Sequence, residues 1–348
     1  MGFAPGEKVR DAPDVPDTGP MSNTERDPQE ITVPPSPHEA EVELLEPRLV
    51  PLGGPRAMTV RRTLPQRLRS LIGAWCYADH YGPDDVSESG GMTVPGHPHT
   101  GLQTVTWLFD GEVEHRDTVG SVTRIRPGEV NLMTSGRGIA HSEYSTADTT
   151  VLRGVQLWTA LPAFARFGDR AFEHFATLPV PHGAATVRTF VGDFAGASSP
   201  VTTFTPLVGA EITLPARSEV RFDLDPAYEH GVLVDLGPVD VDGTPVGPAA
   251  LAYRPVGRTT LVLRSGEADG RVVLIGGVPL DEEIVMWWNF VGRDHDEIVR
   301  FRQAWTAQVA GSGDPDAYGA FPTAWDGAAL PAPALPHARL APRKQPPR

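Results

Sequence analysis

Apolar and polar side chains alternate along "TVTWLFDGEVEHRD", residues 104–117, on either side of a central "DG". Successive side chains of a strand point to opposite faces, so a period of two around an Asp-Gly turn predicts a β-hairpin. "VTRIRPGEVNLMT" follows, with "RPGE" as its turn. After "GVQLWTALP" a second series of Val-, Thr- and Leu-rich runs begins: "ATVRTFVGD", "TPLVGAEITLP", "EVRFDLDP", "HGVLVDLGPVDVDGTPV", "ALAYRPVG", "TTLVLRSG" and "RVVLIGGVPL". The two series share a layout. A Gly-containing turn follows a hydrophobic strand in each ("WLFDGEVEH" against "LVDLGPVDVDG"), and a Pro-Gly or Pro-x-Gly turn comes next ("RPGE" against "RPVG"). This layout predicts a duplicated β-barrel unit. One helix stands out in "RDHDEIVRFRQAW", with Asp294 as N-cap, Glu297 three residues on, and Ile298, Phe301 and Trp305 on one face to pack against a sheet. "EIVMWWNFVG" just before it reads as a buried strand or extended segment.

Composition agrees with an all-β chain. Glycine and proline each number 36 and punctuate the middle of the sequence at short intervals. Residues 1–38 are Pro-, Asp- and Glu-rich and are expected to be disordered, and Met21 is a candidate start. Residues 311–348 form a Pro/Ala-rich tail expected to lie over the surface or fray. Between them we place an N-terminal domain at 39–180 and a C-terminal domain at 181–310. The lone cysteine, Cys76, excludes an internal disulfide and a Cys-rich zinc site and reads as a small buried apolar side chain. No secretory signal or membrane span is legible, so a cytoplasmic location is expected; a monomer is expected as well. A net charge of −14 argues against direct nucleic-acid contact but leaves a protein partner open.

The candidate chemistry is a histidine pattern. In "HPHTG" His97 and His99 stand at i and i+2, on one face of a strand. In "GRGIAHSEYS" His141 and Glu143 repeat that spacing. Brought together in one barrel, these pairs would offer three imidazoles and a carboxylate, a donor set suited to a divalent first-row metal. Pro98 between the first two histidines stiffens the strand and suits a barrel rim. His115 reads as a hydrogen-bonded support beside the site, His80 as an anchor for the loop at the barrel mouth, and Gln103 as a polar side chain around the metal. In the second series His230 lacks partners, so that domain is expected to bind no metal. His38, His174, His182, His295 and His337 are scattered.

"HPHTGLQTVTWLFDGEVEHRD", "RPGEVNLMTSGRGIAHSE" and "GVQLWTALP" together resemble the pirins, a branch of the cupin superfamily. The resemblance runs from "RSLIGAWCYADHYGP" to "DEEIVMWWNFVGRDHDEI". It implies a bicupin: two tandem antiparallel β-barrels with one mononuclear metal, usually iron, in the first. It also implies His97, His99, His141 and Glu143 as the ligands. Many cupins carry a glutamate four residues beyond the second histidine; here that position is Gln103, and the carboxylate would come from Glu143 as in other pirins. Two functions follow from the resemblance. One is an Fe2+-dependent oxygenase of the quercetin 2,3-dioxygenase type, taking a flavonol-like substrate and O2, with Glu143 accepting the substrate's hydroxyl proton. The other is a metal- or redox-responsive protein that binds transcription regulators or metabolic enzymes.

Overall fold

The structure is a computed structural model and describes residues 42–52, 58–67, 69–322, 325 and 328–342; the expected disordered segment 1–38, with Met21, lies outside the described residues. The first half of the chain runs through β1 (Glu43–Leu45), β2 (Arg48–Leu52), β3 (Met58–Leu64), β4 (Trp75–Asp85), the one-turn α1 (Val86–Ser89), β5 (Thr93–His99) and β6 (Leu102–Asp110). It continues with β7 (Val113–Asp117), β8 (Val122–Ile125), β9 (Glu129–Thr134), β10 (Ile139–Ser145), β11 (Val151–Ala160) and β12 (Ala171–Ala176). The second half holds β13 (Val180–His182), β14 (Ala185–Val191), β15 (Asp193–Phe194), β16 (Ala197–Ser198), β17 (Leu207–Leu214) and β18 (Glu219–Asp223). There follow β19 (Glu229–Leu236), β20 (Val239–Val241), β21 (Thr244–Val246), β22 (Leu251–Arg254), β23 (Thr260–Ser265) and β24 (Gly270–Gly277). A short hairpin, β25 (Val285–Trp287) and β26 (Phe290–Gly292), leads into α2 (His295–Val309).

Each half builds one seven-stranded and one four-stranded antiparallel sheet. In the first unit the orders are β12-β9-β6-β11-β4-β3-β2 and β5-β10-β7-β8; in the second they are β1-β22-β19-β24-β17-β14-β13 and β18-β23-β20-β21. The orders match strand for strand, so the shared turn layout of the sequence reflects a duplicated unit. The edge position beside β9 is filled by β12, and the equivalent position beside β22 by β1 from the start of the chain. The C-terminal end makes the opposite journey: Phe290 bridges Thr100 and the Val291 N–H donates to the Thr100 carbonyl in the first unit. β1 lies within 39–180 and β26 within 181–310, so each unit is completed by a piece of chain from the other.

The expected hairpin at 104–117 does not form. β6 pairs with β9 and β11, whereas β7 pairs with β8 and β10, so "DG" is a corner between two sheets. "RPGE" likewise carries the chain from β8 back to β9 in the other sheet. The physical reason lies in burial. Leu102 to Phe109 are all buried, so the alternation in β6 separates two kinds of interior rather than core from solvent. Val105, Trp107 and Phe109 enter the largest apolar cluster, where Trp75, Val155 and Leu157 of the first unit meet Phe190, Leu207, Leu233, Val273 and Ile275 of the second. The two large sheets thus pack face to face, as in a β-sandwich. Thr104 and Thr106 point the other way, into the first barrel.

α2 starts at Asp294, whose carboxylate accepts from the Glu297 N–H at 2.8 Å. Glu297 completes the N-terminus by accepting from Arg293 N and from Nη1 and Nη2 of Arg166, at 2.7 and 2.8 Å. Ile298 and Trp305 are buried, in a cluster that includes Ala140 of β10, so the helix covers the outer side of the four-stranded sheet. The expected surface tail is anchored in part: Tyr318 is buried, its hydroxyl donates to Phe301 O, and Trp305 Nε1 donates to Leu330 O. No helix among the described residues is long and apolar enough to cross a membrane.

One cluster of buried charge lies between the units. Asp235 accepts from Arg153 Nε at 2.7 Å, Arg271 Nε at 2.6 Å and His80 Nε2 at 2.7 Å. Arg61 Nη2 lies 2.9 Å from the other ring nitrogen of His80, which must therefore be an acceptor. His80 is thus an interface residue, not a loop anchor at the barrel mouth. Removing one partner of a buried ionic cluster leaves the others unpaired, so Asp235→Ala is expected to cost about 3–5 kcal/mol of stability. Urea unfolding of the two proteins checks this; an unchanged midpoint would refute the assigned role.

Candidate metal centre

β5 and β10 lie side by side in the four-stranded sheet, with His99 opposite Ile139 and His97 opposite His141. The i, i+2 pairs therefore face one space inside the first barrel. A bulge between His141 and Glu143 brings Glu143 opposite Val94. All four side chains are buried, His97 and Glu143 being the most exposed at 7% and 6%. Gly101, just after the pair, has φ +70, and a Cβ there would sit 2.2 Å from Val291 O. Glycine is required where the C-terminal hairpin clamps the end of the ligand strand.

The potential ligand atoms of His97, His99 and His141 lie within 4.8 Å of one another. His99 Nε2 and His141 Nε2 are 3.0 Å apart. Two nitrogens each ~2.1 Å from a shared ion and at right angles would have about that spacing. Burial pushes the His97 pKa down to about 4 and holds His99 and His141 well below the usual histidine range, with neighbouring imidazoles adding to the effect. The rings are neutral near pH 7 and offer lone pairs.

Hydrogen bonds choose which nitrogen is bare. His97 Nδ1 donates to Pro95 O at 2.9 Å, leaving Nε2 as the donor atom for a metal. His115 Nε2 donates to Asp117 Oδ2 at 2.9 Å, and its Nδ1 faces His141 Nδ1 at 3.4 Å. A neutral His115 with its proton on Nε2 can only accept at Nδ1, which places the His141 proton on Nδ1 and keeps its Nε2 free. Asp117 is itself held by the Val119 and Ser121 N–H groups. His115, expected as a support, sets the tautomer of a candidate ligand.

Glu143 groups with His115 and His141 rather than with all three candidate histidines. Its carboxylate accepts from Thr106 Oγ1 at 3.1 Å, and that hydroxyl also lies 3.0 Å from Gln156 Oε1. One hydroxyl proton shared by two acceptors leaves a buried carboxylate short of positive partners, and burial pushes the Glu143 pKa up. A cation beside His141 would relieve that deficit. The residues present therefore fit a divalent metal.

Gln103 does not reach this space. It lies on the opposite face of β6 from Thr106, bonding Thr134 Oγ1 and the Thr202 carbonyl between the units. The aromatic wall was not legible in the sequence: Trp158 of β11 meets His99 edge-on, with ring centroids 5.0 Å apart. Tyr77 of β4 stacks on Trp158 at 4.0 Å. In the second barrel the strands equivalent to β5 and β10 place Val220, Phe222, Leu261 and Leu263 in its core. Among the described residues, both groups able to hold a metal fall in the first barrel. Cys76 is buried, and burial pushes its thiol pKa up.

Two features, a paired-sheet barrel repeated once and an inward His/Glu set found among the described residues in the first copy, define a bicupin with one candidate metal centre. The chain belongs to the pirin family: "Pirin" matches residues 57–159 and "Pirin C-terminal cupin domain" residues 209–311. It is 41% identical over 319 residues to a Pseudomonas aeruginosa protein named "Putative quercetin 2,3-dioxygenase", covering 91% of this chain and 98% of that one. A pirin-like protein of Caulobacter vibrioides is 34% identical, over 71% of this chain and 88% of its own length. The crystal structure of a quercetin 2,3-dioxygenase from Acinetobacter baumannii superposes with a TM-score of 0.80 at 34% identity, covering 87% of this chain and 98% of that one.

Two outcomes test the centre. Thr106→Val removes the hydroxyl that orients Glu143 and should weaken metal binding ~10–100-fold in a competitive chelator titration; unchanged affinity would remove Thr106 from the site. His80, His97, His99, His141 and His230 all have native pKa values below the ordinary one, chiefly through burial. Their neutral rings contribute stability fully above about pH 6.5, and it is lost as pH falls toward the native values. Thermal unfolding of the metal-free protein should therefore move to lower temperature across that window, and a flat profile would contradict the assignment.

Proposed function

We propose that this pirin binds one Fe2+ through His97, His99, His141 and Glu143 and acts as an oxygenase of the quercetin 2,3-dioxygenase type on a flavonol-like substrate. The observation that carries the reading is the convergence of three neutral imidazoles, two of which (His97 and His141) are held by hydrogen bonds through Nδ1, beside a buried carboxylate with too few partners. The named relatives support the substrate class. When bound, the metal would supply Lewis-acid polarisation of substrate oxygens and electron exchange with O2.

The protein's part is orientation and proton handling. Pro95 O holds His97, and the Asp117–His115 pair holds His141, so neither ring has to reorganise when a ligand arrives. Glu143, with its pKa raised by burial, is suited to accept the hydroxyl proton of a flavonol. Thr106 keeps that carboxylate aimed, and Gln156 competes for the same hydroxyl. Trp158 closes one side of the site with an apolar wall.

The burial of all four donors also suits the second reading, a metal- or redox-responsive protein whose informative surface is the outside of the barrel and whose partner is another protein. Aerobic incubation of the iron-loaded chain with quercetin separates the two. Loss of flavonol absorbance with release of carbon monoxide is expected, and His99→Ala should abolish both. Full iron occupancy without turnover would sink the oxygenase reading and favour the responsive one.

A further inference from the structure

Behind His99 stands a line of side chains to which the proposed chemistry gives no part in electron or proton movement. Trp158 meets His99 edge-on at 5.0 Å and is itself 5% exposed. Tyr77, its cross-strand partner, stacks on it at 4.0 Å with the planes 8° apart. The Tyr77 hydroxyl donates to Asp79 Oδ2 at 2.5 Å. Asp79, with no exposed surface, is gripped by Arg62 through Nε and Nη2 at 2.7 Å each, and the Arg62 guanidinium lies 4.4 Å from the centroid of the Tyr77 ring.

As packing alone this arrangement is costly. Two ionised groups and a phenol are buried in a barrel wall that the second unit fills with hydrocarbon at several positions. Electron transfer gives the same layout a purpose. Tunnelling falls off exponentially with distance, and the three rings form a continuous aromatic contact leading away from the site. Tryptophan and tyrosine are the most readily oxidised aromatic side chains. A buried phenol can lose an electron at moderate potential only if its proton leaves too, and Asp79 is the hydrogen-bonded acceptor for it. Burial holds the Tyr77 hydroxyl in its protonated form until then.

We propose that Trp158, Tyr77 and Asp79 form an electron and proton relay that carries stray oxidising equivalents away from the metal centre. The proposal rests on the metal reading above but not on the flavonol. With hydrogen peroxide as the oxidant, the O–O bond breaks and two hydroxide ions form, one electron being supplied by the bound Fe2+, which would become Fe3+, and the other by the Trp158 indole. Tyr77 restores the indole by giving up one electron, and its phenolic proton passes to Asp79 Oδ2. The products are a neutral tyrosyl radical and a protonated Asp79. Two equivalents of a small one-electron reductant of the ascorbate class then restore the ferrous ion and the phenolate, to which Asp79 returns the proton. Without the relay, the oxidising equivalent would be spent on the histidines that surround the metal.

The test uses the iron-loaded protein, with iron content and thermal melting recorded for every variant. A pulse of hydrogen peroxide followed by freeze-quenching should yield a tyrosyl radical by electron paramagnetic resonance, with hyperfine structure altered by ring-deuterated tyrosine. Tyr77→Phe should lose that signal while keeping iron and fold. Trp158→Phe should form it more slowly, and peptide mass spectrometry should then find oxidised His99 in both variants but not in the parent. A signal of equal size in Tyr77→Phe, or no radical in the iron-loaded parent, would overturn the relay. A radical without quercetin turnover would leave the relay standing and remove the flavonol. Failure of the chain to bind iron would remove both.

Discussion

The face-to-face packing of the two seven-stranded sheets is the constraint on which the rest depends. Trp75, Val105, Trp107, Val155 and Leu157 spend their apolar surface against Phe190, Leu233, Val273 and Ile275 of the second unit. Committing one face of β6 and β11 to that contact turns Thr106, Gln156 and Trp158 into the first barrel by alternation, while on β4 a register shift between Trp75 and Tyr77 lets Trp75 and Ala78 face the second unit and Tyr77 and Asp79 face the barrel. A one-residue slip would put hydrocarbon around the histidines and polar groups between the units. The interface thereby sets the register of the site, although only a few of its residues touch it.

With register fixed, the polar interior of the first barrel has to be satisfied internally. Asp117 takes two backbone N–H groups and His115; Asp79 takes Arg62 and Tyr77. These sets close on themselves. The region between His97, His99, His141 and Glu143 does not: it holds lone pairs and a carboxylate facing one another with too few protons. The second barrel, with the same strand order, avoids the problem by placing Phe222, Leu261 and Leu263 in its interior. One duplicated scaffold thus supports a hydrocarbon core in one copy and a metal-seeking core in the other, and the difference lies in a handful of inward positions.

The exchanged ends tie the units together. β1 completes the second unit's large sheet, while β25, β26 and α2 back the four-stranded sheet that carries the candidate ligands. Helix, hairpin and anchored tail stiffen β5 and β10 from outside, which suits a site whose donors must be held in place before a metal arrives. The Asp235 cluster adds a polar lock between the large sheets.

Much of this was legible in the sequence because it depends on local periodicity. The alternation of strands, the repeated turn layout, the Asp294 cap with its Ile298/Trp305 face, and the shared face of His97 with His99 and of His141 with Glu143 follow from periods of two and 3.6. The sequence by itself thus determined an all-β duplicated chain, a C-terminal helix and two histidine-bearing pairs. Which strands pair was not in that information: "DG" looks the same whether it closes a hairpin or turns a corner between sheets, because the choice is made by distant partners competing for the same edge. For the same reason only the tertiary structure decided that Gln103 and His80 belong between the units, that His115 reads out Asp117 to His141, and that Trp158 and Tyr77 stand behind His99. Those roles arise from contacts between residues far apart in the chain, and no local pattern encodes them.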